Sequence, residues 1–246
     1  MVGLDKRFNN LLVGLGGGYA YTTVNGNLGN DAKADTGYGT VYVAVNGEMG
    51  FLDLSANYAF NDVKTEGSPV FGYTGKYTAN TVSFYVGGGR DFELGKSLLF
   101  TPEASLLSTY YDREGYTETS SSVDPYAHKV WDAYDQWSYL GSVGATLSTT
   151  RKMDSLNMKM EVQPEIRAHL LHEFNAEMDN PLYSAGTVND ISVTLQAREE
   201  DLLKVGAGIR FSKWESDTLE FGLDFDGVFG QDYTAYVFSG RLLHRF

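Results

Sequence analysis

Apolar and polar residues alternate with a period of two along most of the chain. In the longest such stretch, residues 158–170, apolar side chains occupy the even positions and charged or amide side chains the odd ones. Successive side chains of a β-strand point to opposite faces, so the alternation predicts strands with one apolar and one polar face. Counting residues 1–8 as a partial strand, the pattern predicts eleven strands.

A water-soluble β-sandwich also alternates, and it is the main structural alternative. Here the polar face mixes carboxylates and bases with Gly, Ser and Ala, whereas a sandwich would present a uniformly solvated surface of Lys and Glu. The alternating stretches also exceed the usual strand length of about five or six residues and suit strands that cross a bilayer at a tilt. We therefore predict an all-β fold, an antiparallel up-and-down transmembrane β-barrel that forms one domain over residues 1–246.

The predicted connections alternate in length. Short ones fall at residues 9–10, 47–50, 93–97, 150–155 and 213–217, and longer ones at 25–37, 62–75, 112–130 and 175–200. Outer-membrane barrels have short periplasmic turns and longer extracellular loops, and an even number of strands. Either residues 189–197 form a twelfth strand or one is missing before Met1. The second option preserves the alternation of turns and loops.

The composition of the chain excludes several classes of partner and site. Lys and Arg number 19 against 32 Asp and Glu, a formal net charge of −13, so we expect no nucleic-acid partner. Cysteine is absent, which excludes disulfides, Cys-ligated metal sites and a thiol nucleophile. No stretch of about 18 apolar residues predicts a transmembrane helix. The first residues lack the apolar core of a signal peptide, so an export signal would lie upstream of Met1.

Short stretches at residues 2–5, 12–15, 100–104, 163–174, 197–208 and 240–246 carry a family resemblance that covers nearly the whole chain. In order and spacing they resemble the translocator β-domain of the autotransporters of type V secretion. The resemblance implies a Gram-negative outer-membrane barrel of twelve strands, preceded by a helix in its pore and by a secreted passenger. The helix and the first strand are absent from this chain, so we expect an open seam.

The last strand looks like the signal by which the barrel-assembly machinery recognises outer-membrane proteins. Its alternate residues are Tyr236, Phe238, Leu242 and the C-terminal Phe246. His244 stands where such signals more often have Tyr or an apolar residue. The partners implied are outer-membrane lipid, the barrel-assembly machinery and the N-terminal passenger.

Charged residues on the polar face are expected to line a hydrophilic lumen, where they hydrate or pair and hold the linker of the passenger. Twelve strands enclose space for about one helix. The predicted lumen-lining residues are Glu103, Lys159, Glu161, Glu165, Arg167, Lys204, Arg210, Glu220, Asp224, Asp226, Arg241 and Arg245.

No catalytic, metal or cofactor site is predicted. His169 and His172 lie three residues apart, so on a strand they point to opposite faces and cannot share a metal ion. Two alternatives stay open: a standalone barrel that acts as an adhesin or small porin, and a barrel hydrolase that uses His128 or His169. The translocator is the preferred interpretation.

Overall fold

Eleven long antiparallel strands form the wall of the molecule in the computed structural model, which describes residues 1–25, 31–67, 72–95, 97–120, 128–155, 158–175, 182–185, 188–192, 199–213, 216–231 and 233–244. The wall strands are β1 (Val2–Phe8), β2 (Leu11–Asn25), β3 (Asp31–Gly47), β4 (Gly50–Gly67), β5 (Tyr73–Gly89), β7 (Leu98–Arg113), β10 (Tyr134–Thr149), β12 (Met158–Glu173), β15 (Asp201–Lys213), β16 (Ser216–Phe229) and β17 (Thr234–His244).

Six short strands lie between or extend the wall strands: β6 (Phe92–Glu93), β8 (Tyr116–Ser120), β9 (His128–Trp131), β11 (Arg151–Ser155), β13 (Leu182–Ala185) and β14 (Val188–Ser192). Within the described residues, no helix is long and apolar enough to span a membrane.

Each wall strand pairs with the next wall strand along the chain, and every pairing is antiparallel. This order is the up-and-down arrangement that the sequence predicted, and the predicted count of eleven strands is confirmed. Among the described residues, β1 pairs only with β2, and β17 only with β16. The sheet is therefore curled but keeps two free edges.

The register keeps each type of side chain on one face from strand to strand. One cross-strand row runs through Val13, Val43, Leu54, Val86 and Leu106; we call its side of the sheet the apolar face. The opposite side carries rows such as Glu165, Gly208 and Asp224; we call it the polar face. A slip of one residue would exchange the two faces of a strand, so these pairings fix which side chains meet.

Burial is inverted relative to a water-soluble protein. Apolar-face side chains are open to the surroundings, with Val143 at 59 % and Leu170 at 63 % exposed, whereas Glu165 on the polar face is 7 % exposed. A soluble sandwich buries its apolar side chains and solvates its charges. The exposed apolar band is the surface that a lipid-facing barrel presents.

The strands extend further into the predicted connections than the sequence indicated. Residues 31–37 belong to β3, because Asp31 pairs with Asn25 and with Glu66. Residues 151–155, predicted as a turn, form β11, which continues β10 and pairs with β12. In residues 31–37 the positions that continue the apolar face carry Asp31, Lys33 and Asp35, and in residues 151–155 charges occupy both faces, so the usual alternation is lost in both stretches.

The region proposed as a possible twelfth strand, residues 189–197, overlaps the short strand β14. That strand pairs with β13 and not with a wall strand, and residues 193–198 lie outside the described part of the chain. β13 in turn pairs with β9. This pairing joins parts of the two longest predicted connections, residues 112–130 and 175–200, into one sheet. The described part of this region therefore extends a loop and adds no wall strand.

Candidate functional site on the polar face

Arg167 is the centre of the strongest polar cluster. From β12, its Nε donates to Asp226 Oδ1 at 2.8 Å, and its Nη1 donates to Glu165 Oε1 at 2.7 Å and to Asp224 Oδ1 at 3.0 Å. Its Nη2 donates to the second oxygen of Asp226 at 3.1 Å. Charge-assisted pairs with two parallel hydrogen bonds are among the strongest polar contacts in proteins. Arg167 therefore ties β12 to β16 across the intervening strand β15.

Two further cations extend this cluster onto β15. Lys204 Nζ lies 3.5 Å from Asp226 Oδ2, and Arg210 Nη2 lies 2.9 Å from Glu165 Oε2. The carboxylates of Glu165 and Asp226 thus each contact two cations. The opposite charges therefore compensate one another on this shielded surface.

Gly206 and Gly208 make room for the Arg167 cluster. An added Cβ at Gly206 would lie 2.1 Å from Asp226 Oδ1 and 2.8 Å from Arg167 Nε, and one at Gly208 would lie 2.6 Å from Asp224 Oδ1. These glycines stand between the charged side chains of β12 and β16. Their missing side chains are what lets Arg167 reach over β15.

A second set of contacts joins β7, β10 and β12. His169 Nε2 lies 3.3 Å from Glu103 Oε1, and Ser142 Oγ lies 3.4 Å from His169 Nδ1. Thr146 donates to Glu103 at 2.7 Å. Gly144 lies beneath the imidazole, since a Cβ there would be 2.6 Å from the ring. His169 thus belongs to a chain of polar contacts that crosses three strands.

Both sets of contacts border one cavity of about 620 Å³ on the polar face. Its lining includes Glu103, Glu165, Arg167, Lys204 and Arg210, five of the predicted lumen-lining residues. Asp53 of β4, which sequence reasoning did not select, also lines it. In the sequence Asp53 lies between the apolar residues Leu52 and Leu54, so the alternation already assigned it to the polar face.

The other predicted lumen residues are placed as follows. Asp224 and Asp226 both form ion pairs with Arg167. Arg241 forms a separate ion pair with Glu220, with 2.5 Å between Nη2 and Oε1. Glu161 lies on the polar face opposite Ser212. The backbone of Lys159 belongs to β12, but its side chain and all of Arg245 lie outside the described residues. That the whole set lines a closed lumen stays a prediction.

The predicted assembly signal lies on the apolar face of the last strand. Tyr236, Phe238 and Leu242 are 66 %, 72 % and 71 % exposed. Phe246 lies outside the described residues.

The remaining histidine candidate, His128, begins β9, and its side chain is likewise outside the described part. Across the described ranges, no group of three or more His, Asp or Glu side chains is placed to hold a metal ion.

An aromatic cluster at the loop end of the wall was not anticipated. The Arg113 guanidinium lies over the rings of Tyr77, Tyr116 and Tyr134, with 5.2 Å to the nearest centroid, and donates to the carbonyl of Asp132 at 2.6 Å. Burial raises the pKa of the Tyr116 hydroxyl, which therefore stays protonated. The dense aromatic sequence near residues 110–137 was the signal, but the ring contacts depend on the cross-strand register.

The model of the family described as autotransporter beta-domain matches residues 1–226. The translocator domain of the autotransporter NalP from Neisseria meningitidis superposes with a TM-score of 0.74 at 14 % identity, covering 99 % of this chain and 77 % of that one.

The beta domain of the Bordetella autotransporter BrkA gives a TM-score of 0.72 at 16 % identity, covering 99 % of this chain and 88 % of that one. No curated protein matches the sequence.

Replacement of Arg167 by Leu is expected to destabilise the folded protein by about 3–5 kcal/mol, because three carboxylates lose their shared cation. The matched variant Arg241→Leu breaks the Glu220 pair, in which the Arg241 side chain is 58 % exposed, and is expected to cost about 0–1 kcal/mol. The temperature at which the compact band is lost in semi-native electrophoresis measures both. Equal shifts for the two variants would contradict a central role for Arg167.

Substitution of Gly206 by Ala is expected to cost about 1–3 kcal/mol through overpacking against Asp226 and Arg167. Gly222 on the same face is the control, since an added Cβ there has no neighbour closer than 3.9 Å. The same melting measurement should separate Gly206→Ala from Gly222→Ala. A Gly206→Ala protein as stable as the control would mean that Arg167 does not need this space.

Proposed function

Because the chain belongs to the autotransporter β-domain family, we propose that it is an outer-membrane translocator barrel that assists export and surface display of an N-terminal passenger. In this proposal the hydrophilic lumen holds the linker of the passenger. The observation that carries the proposal is the inverted burial of the sheet, with an exposed apolar face and a shielded, charge-paired polar face. The family itself consists of transport barrels of the Gram-negative outer membrane.

The apolar face supports lipid as the first partner. It continues across all eleven wall strands through the register described above, and it includes Phe84, Val143 and Phe225, each at least 47 % exposed. Water would make such a continuous surface costly, whereas a bilayer satisfies it. The proposed location is therefore the bacterial outer membrane, with the short turns in the periplasm.

The polar face supports a hydrated interior that can hold a peptide segment. Asp53 lines the cavity without an ion-pair partner among the described side chains, while Arg210 is 42 % exposed although it contacts Glu165. Such groups can exchange water for contacts with a linker. The compensated Arg167 cluster supplies the fixed part of the same wall.

The two free edges support closure by one further strand. In an antiparallel sheet of eleven strands, the first and last run in the same direction, so β1 and β17 cannot pair antiparallel with each other. A strand between them would be antiparallel to both and would satisfy backbone groups that a lipid environment cannot. We propose that the first strand of the barrel, which the resemblance places before β1, takes this position.

The exposed apolar and aromatic side chains of β17 support a third partner, the barrel-assembly machinery. Tyr236, Phe238 and Leu242 present alternate apolar side chains at one free edge of the sheet. An edge strand of this kind offers backbone groups and side chains together. We propose that the barrel-assembly machinery recognises it.

Reversal of polar-face charge tests the export role. We expect Asp53→Lys to reduce surface display of a reporter passenger severalfold, because it places a cation where the linker passes. Glu165→Lys should also reduce display, but it breaks the pairs with Arg167 and Arg210 as well, so its result counts only if the barrel folds. Lys33→Glu, which reverses an exposed charge near the loops, is the control and should leave display unchanged. Protease shaving of intact cells measures display, and semi-native electrophoresis shows whether the barrel folds. Full display by folded charge-reversed barrels would reject the proposal and favour the adhesin or porin alternative.

A further inference from the structure

The charges on the apolar face differ between the two ends of the wall. Near the short turns, this face carries only cations among its described charged side chains: Lys6, Arg90, Arg151 and Lys213, all exposed. We call these four residues the turn-end collar. Three of them pair across the sheet with apolar-face residues, Lys6 with Val13, Arg151 with Val162 and Lys213 with Met160, and the amide of Arg90 donates to the carbonyl of Pro102.

The described carboxylates at this end take other positions. Asp91 accepts a hydrogen bond from Thr101 on the polar face, Glu161 pairs with Ser212 there, and Glu48 lies in a turn. The loop end of the apolar face is mainly acidic, with Asp31, Asp35, Asp62, Glu66, Asp112, Asp135 and Asp201 against Lys33, Lys64 and Lys76. The collar is thus a local exception in a chain whose net charge is −13.

Two collar cations have the same local geometry. Lys6 Nζ lies 5.2 Å from the ring centroid of Phe8, and the Arg90 guanidinium lies 5.3 Å from that of Phe92. In both cases the aromatic residue follows the cation by two positions and precedes a turn. The ring therefore directs the long side chain along the wall towards the turns, which is where the headgroups of a bilayer lie.

We propose that the turn-end collar binds the phosphate groups of anionic phospholipid headgroups in the leaflet that faces the short turns. This inference rests on the proposed function for the position of the membrane. Cations close to an anionic membrane surface attract it over about a Debye length. Within the described part of the chain, no carboxylate shares this part of the apolar face with the four cations.

Lipid retention by the full chain tests the proposal. The purified protein is mixed in detergent with phosphatidylglycerol or phosphatidylcholine, and bound lipid is counted by native mass spectrometry. Lys6→Gln and Arg90→Gln are made singly and together with Arg151→Gln. The matched control removes three positive charges from the loop end of the same face by Lys33→Gln, Lys64→Gln and Lys76→Gln.

We expect the apparent affinity for phosphatidylglycerol to fall about fivefold for each collar cation removed. Phosphatidylcholine retention and the loop-end control should not change. Equal phosphatidylglycerol retention by all variants would overturn the inference, as would its complete release by inorganic phosphate at matched ionic strength. Semi-native electrophoresis of the same samples reports whether the barrel is folded. A folded barrel with no preference for phosphatidylglycerol would reject lipid binding by the collar but would leave the translocator proposal in place.

Discussion

Backbone hydrogen bonding is the constraint on which the rest of this structure depends. A strand that lies in lipid has no water for its N–H and C=O groups, so each must pair with a neighbour on both sides. The nine inner wall strands do this in chain order, whereas β1 and β17 each have one paired side among the described residues. The register places Val86 beside Leu54 and Leu106 on one face. The same register places Glu165 beside Gly208 on the other. The faces, the cavity and the free edges all follow from these pairings.

The second constraint is that charged side chains on the polar face must be stabilised in a wall whose other face is mostly apolar. Arg167 compensates Asp224, Asp226 and Glu165 directly, and the glycines of β15 provide the space that this requires. The result is a fixed, neutralised cluster beside more accessible groups such as Asp53. The proposed function uses both properties, since it needs a fixed wall beside polar groups that can contact a polypeptide segment.

Sequence periodicity predicted the number, order and faces of the wall strands, because lipid and water impose opposite requirements on alternate residues. It failed at residues 31–37 and 151–155, where charged residues occupy positions of the apolar face although both segments pair as strands. It also could not reveal which charges meet, since the contact between Arg167 and Asp226 spans 59 positions and depends on the register of three strands. The Arg113 cluster was missed for the same reason.

Labelling of single cysteines tests the central claim, that the polar face lines a water-filled interior and the apolar face contacts lipid. The chain has no native cysteine, so Ser105, Leu106, Ser142 and Val143 can each be replaced by Cys in the folded protein reconstituted into liposomes. Ser105 pairs with Ser142 on the polar face, while Leu106 and Val143 lie on the apolar face. The account predicts rapid labelling by a charged, water-soluble maleimide at positions 105 and 142, and protection at 106 and 143. Equal labelling at all four positions, or protection of 105 and 142 alone, would contradict it.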